Sequence, residues 1–280
     1  MDIIYYILDI ILPFEFLNFT FMKNAFIAVL LITPLFGLTG TMIVNNKMSF
    51  FSDALGHSAL TGIAIGVLIG INNYIVSMLG FAIIFALCIS AIINSSGSSS
   101  DTIIGVFSSV GMALGIVILS INGGFSKYSN YLIGDILSIK SSEIFNLFIV
   151  LIFVILIWAF SFNGLMISSV NSDLAYSKGV NVKFYKNLFS ILIAVIVTVS
   201  IKWVGILIIN SLLVLPAAAA RNISKSIKSY HLYSVLFSMI SGISGLIISY
   251  YVGTSAGGTI VLVSALLFFI TFFIRTFAKR

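Results

Sequence analysis

Long apolar stretches separated by short polar connections run along almost the whole chain. A helix needs about 20 mostly apolar residues to cross the ~30 Å hydrocarbon core of a bilayer. The pattern predicts about nine such spans, and the short sixth span is separated from the seventh only by Lys202. Residues 131–139 are apolar but too few to span, so they are predicted to form a partial or re-entrant helix. The predicted spans are residues 24–44, 54–71, 74–93, 102–121, 144–162, 188–201, 203–220, 232–252 and 259–277.

The composition indicates an all-α membrane protein with a single transmembrane domain over residues 1–280. Hydrophobic residues make up 60% of the chain, charged residues make up 8%, and the mean hydropathy is +1.21. A soluble domain of this length does not need so much apolar surface, so a polytopic helical bundle is predicted. The single cysteine, Cys88, permits neither an internal disulfide nor a thiolate metal cluster. Residues 1–16 lack a basic stretch, so they are predicted to be an external or interfacial lead-in and not a cleavable signal peptide.

The basic residues predict the orientation of the chain in the membrane. The net charge is +6, but the basic residues are scattered among the connections, so nucleic acid is not a predicted partner. Cytoplasmic connections of membrane proteins carry an excess of Lys and Arg. An odd number of spans with the N-terminus outside and the C-terminus in the cytoplasm satisfies this rule. The residues then inside are Lys47, Lys178, Lys183, Lys186, Arg221, Lys225, Lys228, Arg275, Lys279 and Arg280, and those outside are Lys23, Lys127, Lys140 and Lys202.

The strongest candidate for chemistry is the pair Asp53 and His57, which opens the second predicted span. Residues four apart lie on the same face of a helix, one turn from each other. Carboxylate and imidazole are both ligands of first-row transition metals, and ionisable groups at membrane depth are functional candidates. The alternative is a buried aspartate–imidazolium pair that caps the helix, with Asp53 as the N-cap. The spacing alone favours the two interpretations about equally.

Three further polar residues are weaker candidates for metal ligands. Asn46 precedes the Asp53 site and offers a carbonyl oxygen, although turn chemistry explains it better. Asn210 lies in the middle of a predicted span, where its amide either lines a pathway or bonds a neighbouring helix, and the second reading is favoured. Asp135 lies in the short segment 131–139, where it either attracts cations or caps a re-entrant turn.

The connection between the fifth and sixth predicted spans contains a capped helix. Within residues 171–186, Asp173 suits a helix N-cap or first turn, and Gly179 suits the position just beyond the C-cap. Bulky substitutions near Ala175 or Gly179 are expected to disturb this segment most. A partner-docking helix and an ordinary amphipathic loop helix are equally compatible with these residues.

Taken together, these segments resemble the metal-ion permease family of ABC transporters, the membrane subunits of bacterial zinc, manganese and iron importers. Residues 47–60 are similar to the family's Met-Ser-x-x-Gly-Asp-Ala-x-x-His motif. Ser52 stands in place of the usual Gly, and Thr61 stands where Pro is usual. The other similar blocks are residues 100–105, 173–182, 204–221 and 257–263.

The resemblance implies both a fold and a set of partners. It implies a helical fold like that of the vitamin B12 and iron-siderophore permeases, in a bacterial inner membrane. It further implies a homodimer with a central pathway, two cytoplasmic ATPase subunits and an extracellular metal-binding lipoprotein. Asp53 and His57 would contact the transported zinc, manganese or ferrous iron, and Asp173, Ala175 and Gly179 would belong to the ATPase coupling loop. The chain itself would be neither an enzyme nor the holder of a permanent cofactor.

The same residues argue against two other functional classes and leave a third open. An intramembrane metalloprotease needs an H-E-x-x-H motif, and the only histidines, His57 and His231, lack it. A rhomboid-like serine protease needs a histidine after its serine, but none follows His231. A self-powered secondary cation transporter remains the alternative, because the chain has no phosphate-binding loop of its own.

Overall fold

The computed structural model describes residues 2–11, 14–121, 128 and 134–278, and the described part contains helices and no strand. Nine helices of 18 residues or more occur there, with two short helices and two 3-10 turns. The helices are α1 Asp2–Ile11, α2 Thr20–Asn45, α3 Phe51–Ile69, α4 Tyr74–Ser95, α5 Ser100–Ile121, α6 Ser141–Val170, α7 Ser172–Ser177, α8 Val182–Val204, α9 Ile206–Ile223, α10 Ile227–Val252 and α11 Ala256–Ala278. The 3-10 turns are Glu15–Asn18 and Ile136–Ser138.

The predicted all-helical bundle of about nine spans is confirmed. Eight of the described helices have the length and apolar composition to cross a membrane, and α9 is a shorter apolar helix. Each predicted span coincides with one of the long helices. The longest, α6, has 30 residues and measures about 45 Å at 1.5 Å per residue, so it exceeds the thickness of a hydrocarbon core.

The predicted break between the sixth and seventh spans was placed at the wrong residue. Lys202 continues the last turn of α8, and the chain breaks at Gly205, whose φ is 86° and ψ is 149°. A lysine adopts helical backbone angles readily and can extend its ammonium group towards a polar region. Glycine is the residue that reaches positive φ without a steric penalty, so Gly205 ends α8 and allows α9 to begin at Ile206.

The predicted lead-in and short segment are only partly described. The lead-in contains α1, where the Tyr5 hydroxyl donates to Asn24 Oδ1 at 2.6 Å and Lys23 pairs with Asp9 at 2.7 Å. In residues 131–139 the predicted partial helix is one 3-10 turn, Ile136–Ser138, and residues 131–133 lie outside the described part. Lys127, Lys279 and Arg280, which were used for the orientation, also lie outside it.

The chain divides into two compact units, and the prediction of one domain stays a prediction. The first unit comprises residues 1–41, 134–153 and 211–280. Within this unit α10 is joined to α2 by the hydroxyl of Ser234, which donates to the carbonyl oxygen of Gly37 at 2.7 Å. Tyr230 similarly donates from its hydroxyl to the carbonyl oxygen of Thr41 at 3.4 Å. Buried hydroxyls therefore satisfy backbone carbonyls between helices.

The second unit, residues 42–133 and 154–210, is built around α3. Most of α3 is buried, and it packs against α4, α5 and α8. The Thr61 hydroxyl donates to the carbonyl oxygen of Gly111 on α5. A Cβ atom added at Gly115 would lie 2.7 Å from the backbone nitrogen of Thr61, so this close approach requires glycine. The helix that carries Asp53 and His57 is thus held from several sides.

Candidate functional site

The candidate site lies at the start of α3. A turn at residues 46–50, in which Lys47 has a φ of 56°, reverses the chain before the helix begins at Phe51. Asp53 is in the first turn, where a carboxylate is favoured by the partial positive charge of the helix N-terminus. His57 follows one turn later. The side chain of Asp53 is 31% exposed and that of His57 is 15% exposed, so the pair is sheltered but reachable.

The separation of the two side chains fits a shared cation better than a direct bond. Asp53 Oδ2 lies 3.4 Å from His57 Nε2, which is longer than the usual 2.7–3.2 Å of an N–H···O hydrogen bond. Two ligand atoms each about 2.1 Å from one metal ion, at a tetrahedral angle, lie about 3.4 Å apart. A right angle, as in an octahedral site, would bring the same atoms to about 3 Å. The pair therefore has the spacing of two neighbouring ligands of one ion.

The second ring nitrogen of His57 faces the interior of the protein. His57 Nδ1 is buried and has no hydrogen-bond partner among the described residues. An imidazole that binds a metal ion through Nε2 carries its proton on Nδ1, and an imidazolium carries one there as well. Nδ1 is therefore a donor in both interpretations, and the observation that favours the metal is the separation of Asp53 Oδ2 from His57 Nε2.

The first turns of α3 are fixed against the start of α9. The Ser52 hydroxyl donates to Asn210 Oδ1 at 2.7 Å. One turn along α3, a Cβ atom at Gly56 would lie 2.8 Å from Ile206 Cγ2, so the helices meet closely there. Ser52 and Gly56 immediately precede Asp53 and His57 in the sequence. The contact that begins after the Gly205 break therefore sets the position of the candidate ligands.

The weaker candidates have other roles in the structure. Asn210 accepts the bond from Ser52 and so joins two helices, which was the favoured reading of its sequence position. The Asn46 amide donates to the carbonyl oxygen of Met42 at 2.8 Å, one turn back in α2. Asp135 is exposed and caps a 3-10 turn, with its Oδ1 accepting from the amide of Leu137 at 3.0 Å. Among the described residues no three His, Cys, Asp or Glu side chains cluster, so Asp53 and His57 have no third side chain of these types beside them.

The capped helix predicted in residues 171–186 is present as α7. Its N-cap is Asn171, whose side chain accepts from the amides of Asp173 and Leu174 at 3.0 Å, so Asp173 occupies the first turn. Gly179 has a φ of 73° in the position beyond the C-cap, as its sequence position predicts. Ala175 is fully buried, so it packs against the protein and presents no surface to a partner.

The large exposed side chains of α7 belong to residues that the sequence did not single out. Leu174 and Tyr176 are 47% and 62% exposed, although both are large and apolar in part. They flank the buried Ala175 in the sequence. The cap residues, which predicted the helix, were the signal that could have pointed to them. In the sequence, Ser52 stood out only because it replaces the usual Gly of the motif. A hydrogen bond to a residue as distant as Asn210 cannot be recognised from local spacing.

The apolar helices define a multi-pass membrane protein. Residues 18–275 match the model of the family described as the ABC 3 transport family, so the chain belongs to that family. The match includes α2 to α10 and nearly all of α11.

Characterised relatives and a solved structure are similar over most of their length. The high-affinity zinc uptake system membrane protein ZnuB of Haemophilus influenzae is 34% identical over 84% of this chain and 90% of its own. The manganese import system permease protein ScaB of Streptococcus gordonii is 33% identical over 92% of each chain. The structure of PsaBC from Streptococcus pneumoniae in complex with Fab superposes with a TM-score of 0.80. That match has 30% identity and covers 98% of this chain and 96% of the other.

Proposed function

We propose that this chain is the membrane-spanning permease subunit of an ATP-driven importer of divalent transition-metal ions. Asp53 and His57 supply two of the ligands that hold the cargo during passage. The observation that carries the proposal is the 3.4 Å separation of Asp53 Oδ2 and His57 Nε2 on a sheltered helix turn. Membership of a transport family whose relatives are named for zinc and manganese uptake supports it.

A site with two protein ligands suits a transport step. A cargo site must bind its ion strongly enough to select it and weakly enough to release it. Water, backbone carbonyls or a second copy of the chain complete the coordination. Zinc favours a tetrahedral arrangement and manganese accepts an octahedral one, so a carboxylate and an imidazole serve zinc, manganese or ferrous iron.

The proposed assembly places this chain among several partners. Two copies form a homodimer around a central pathway, two cytoplasmic ATPase subunits supply the energy, and an extracellular metal-binding lipoprotein delivers the ion. The chain lies in a bacterial inner membrane with its N-terminus outside and its C-terminus in the cytoplasm. The basic residues of the connections support this orientation, because they concentrate on the proposed cytoplasmic side.

The helix α7 is the proposed contact with the ATPase. Its exposed Leu174 and Tyr176 side chains offer the apolar anchors that such an interface needs, while Ala175 and Gly179 hold the helix in shape. Tyr176→Ala should therefore reduce co-purification of the ATPase and ATP-driven uptake while leaving cargo binding unchanged. Full co-purification and full uptake by both Tyr176→Ala and Leu174→Ala would place the contact elsewhere.

The function is tested by metal uptake into proteoliposomes that contain the complete transporter. Asp53→Ala and His57→Ala should each abolish uptake of radioactive zinc or manganese while the complex still assembles. Asp101→Ala and His231→Gln are the matched controls, because Asp101 also lies in the first turn of a long helix and His231 is the only other histidine. Wild-type uptake by both site variants would overturn the ligand assignment. Uphill uptake by the chain alone without ATP would instead establish a secondary transporter.

A further inference from the structure

A cavity lies in the same unit as the candidate site, and of the predicted metal ligands only Asn46 is part of its described lining. It has a volume of about 90 Å³, and its described lining includes neither Asp53 nor His57. Its walls come from the ends of α2, α4 and α6 and from the starts of α5 and α8. A single buried water needs roughly 10–15 Å³ of such space, so the cavity is large enough for a polyatomic group or several waters.

The only charged side chain in the described lining is Lys186. Its ammonium donates to Asn94 Oδ1 at 3.2 Å, and no carboxylate of the described residues lies within 4.0 Å of it. An ammonium group has three donors, so two are left after the bond to Asn94. Asp101 is next in sequence to the lining residue Ser100, but it is exposed and takes no part in the lining. The cavity therefore carries an uncompensated positive charge.

A buried hydroxyl without a partner lies in the same lining. Ser168 is 5% exposed, and its Oγ has no hydrogen-bond partner among the described residues. The neighbouring hydroxyls differ, since Ser169 donates to the carbonyl oxygen of Met166 and Ser190 donates to that of Lys186. The Ser168 oxygen is inaccessible to solvent, so this hydroxyl belongs to the polar wall of the cavity and does not itself reach a ligand in it.

We propose that this cavity binds a phosphate group, carried by an anionic lipid headgroup or by free phosphate. The Lys186 ammonium donates to its oxygens, as donors to an anion do. The remaining lining suits the carbon atoms next to a phosphodiester, because Met42, Ile93, Leu165 and Phe189 are apolar. A metal cation is excluded from the cavity by the charge of Lys186.

The position of the cavity along the helices agrees with this ligand. Successive spans alternate in direction, so the ends of α2, α4 and α6 and the starts of α5 and α8 lie on one side of the membrane. Lipid phosphates lie at this depth, just beyond the hydrocarbon core. The unpaired charge of Lys186 thus sits where anionic headgroups are concentrated.

The proposal is tested on the full-length chain in lipid nanodiscs by thermal unfolding, followed through the fluorescence of its two tryptophans. In the first arm, inorganic phosphate is titrated into nanodiscs of phosphatidylcholine. In the second, phosphatidylglycerol replaces part of the phosphatidylcholine in phosphate-free buffer. A bound ligand raises the unfolding midpoint, by about 5 °C at concentrations ~100-fold above its Kd. We expect this rise in at least one arm for the wild type and its loss in Lys186→Gln.

Two further variants keep the test decisive. Lys186→Met should also abolish the rise and keeps much of the length of the side chain, so it serves if Lys186→Gln does not fold. Lys183→Gln is the matched control, because it removes the same charge from an exposed position on the same helix outside the lining. A rise with phosphatidylglycerol alone identifies a lipid headgroup, and a rise with phosphate identifies the free anion. No rise in either arm, or an equal rise in Lys186→Gln, would overturn the proposal.

Discussion

Two regions of the α3-centred unit carry opposite chemistry although both use the early turns of a helix. The start of α3 presents a carboxylate and an imidazole one turn apart, whereas the start of α8 presents Lys186 beside a buried hydroxyl. Both helix starts have the partial positive charge of a helix N-terminus, so the difference lies in the side chains that they present. The comparison teaches that the side chains, and not the helix ends themselves, indicate the sign of the ligand at each place.

The largest expected effect is on metal affinity, which should depend on the charge of Asp53 and not on that of Lys186. Asp53→Asn keeps the shape of the side chain but removes its charge, so the equilibrium affinity for zinc or manganese should fall by on the order of 100-fold or more. Lys186→Gln should leave that affinity within about twofold, since its cavity is proposed to hold an anion. Isothermal titration of the purified complex measures both. Equal losses in the two variants would mean that the regions form one site.

A smaller effect is expected from the bond that supports the first region. Ser52→Ala removes the donor to Asn210 and should weaken metal affinity by roughly 10-fold, the lower end of the range for residues that orient a ligand. Asn210→Leu should have the same effect, and the double variant should lose no more than either single one, because one bond is removed in each case. Ser52→Thr should retain affinity. Additive losses would show that Ser52 and Asn210 act separately.

The smallest effect is expected in the middle of α3, where a substitution should lower stability without changing metal affinity. Thr61→Val keeps the side-chain shape and removes the hydroxyl that donates to the carbonyl oxygen of Gly111. Interhelical hydrogen bonds in membranes contribute about 0.6 kcal/mol on average, so the loss of stability should be of that order. Reversible unfolding in mixed micelles measures it. A tenfold loss of metal affinity in Thr61→Val would contradict the assignment of Thr61 to packing alone.

Local signals in the sequence were sufficient for the helices and for the placement of Asp53 and His57 on one helix turn. Apolar run length predicted each long helix, and the four-residue spacing of Asp53 and His57 placed them on one turn, as observed. The N-terminal and C-terminal cap residues predicted α7 in the same way. Each of these features depends on residues within a few positions of one another, which is the information that a single sequence contains.

Contacts between distant segments were not predictable from the sequence. The cavity at Lys186 joins residues from five helices, and the partner of Asn210 lies 158 positions away at Ser52. The break at Gly205 was missed because Lys202 was the more conspicuous polar residue, although glycine has the backbone freedom that a break needs. The burial of Ala175 could not be predicted either, since alanine occurs both on surfaces and in cores.

The most direct test of the central assignment is to detect the nitrogen that binds the cargo. The transporter, without its binding lipoprotein, is prepared with ¹⁵N-histidine in this chain alone, loaded with Mn²⁺ and studied by electron spin-echo envelope modulation. We predict a ¹⁵N signal from a coordinated imidazole that is retained in His231→Gln and absent in His57→Gln. Modulation from ¹⁴N only, or a ¹⁵N signal that survives in His57→Gln, would contradict the account.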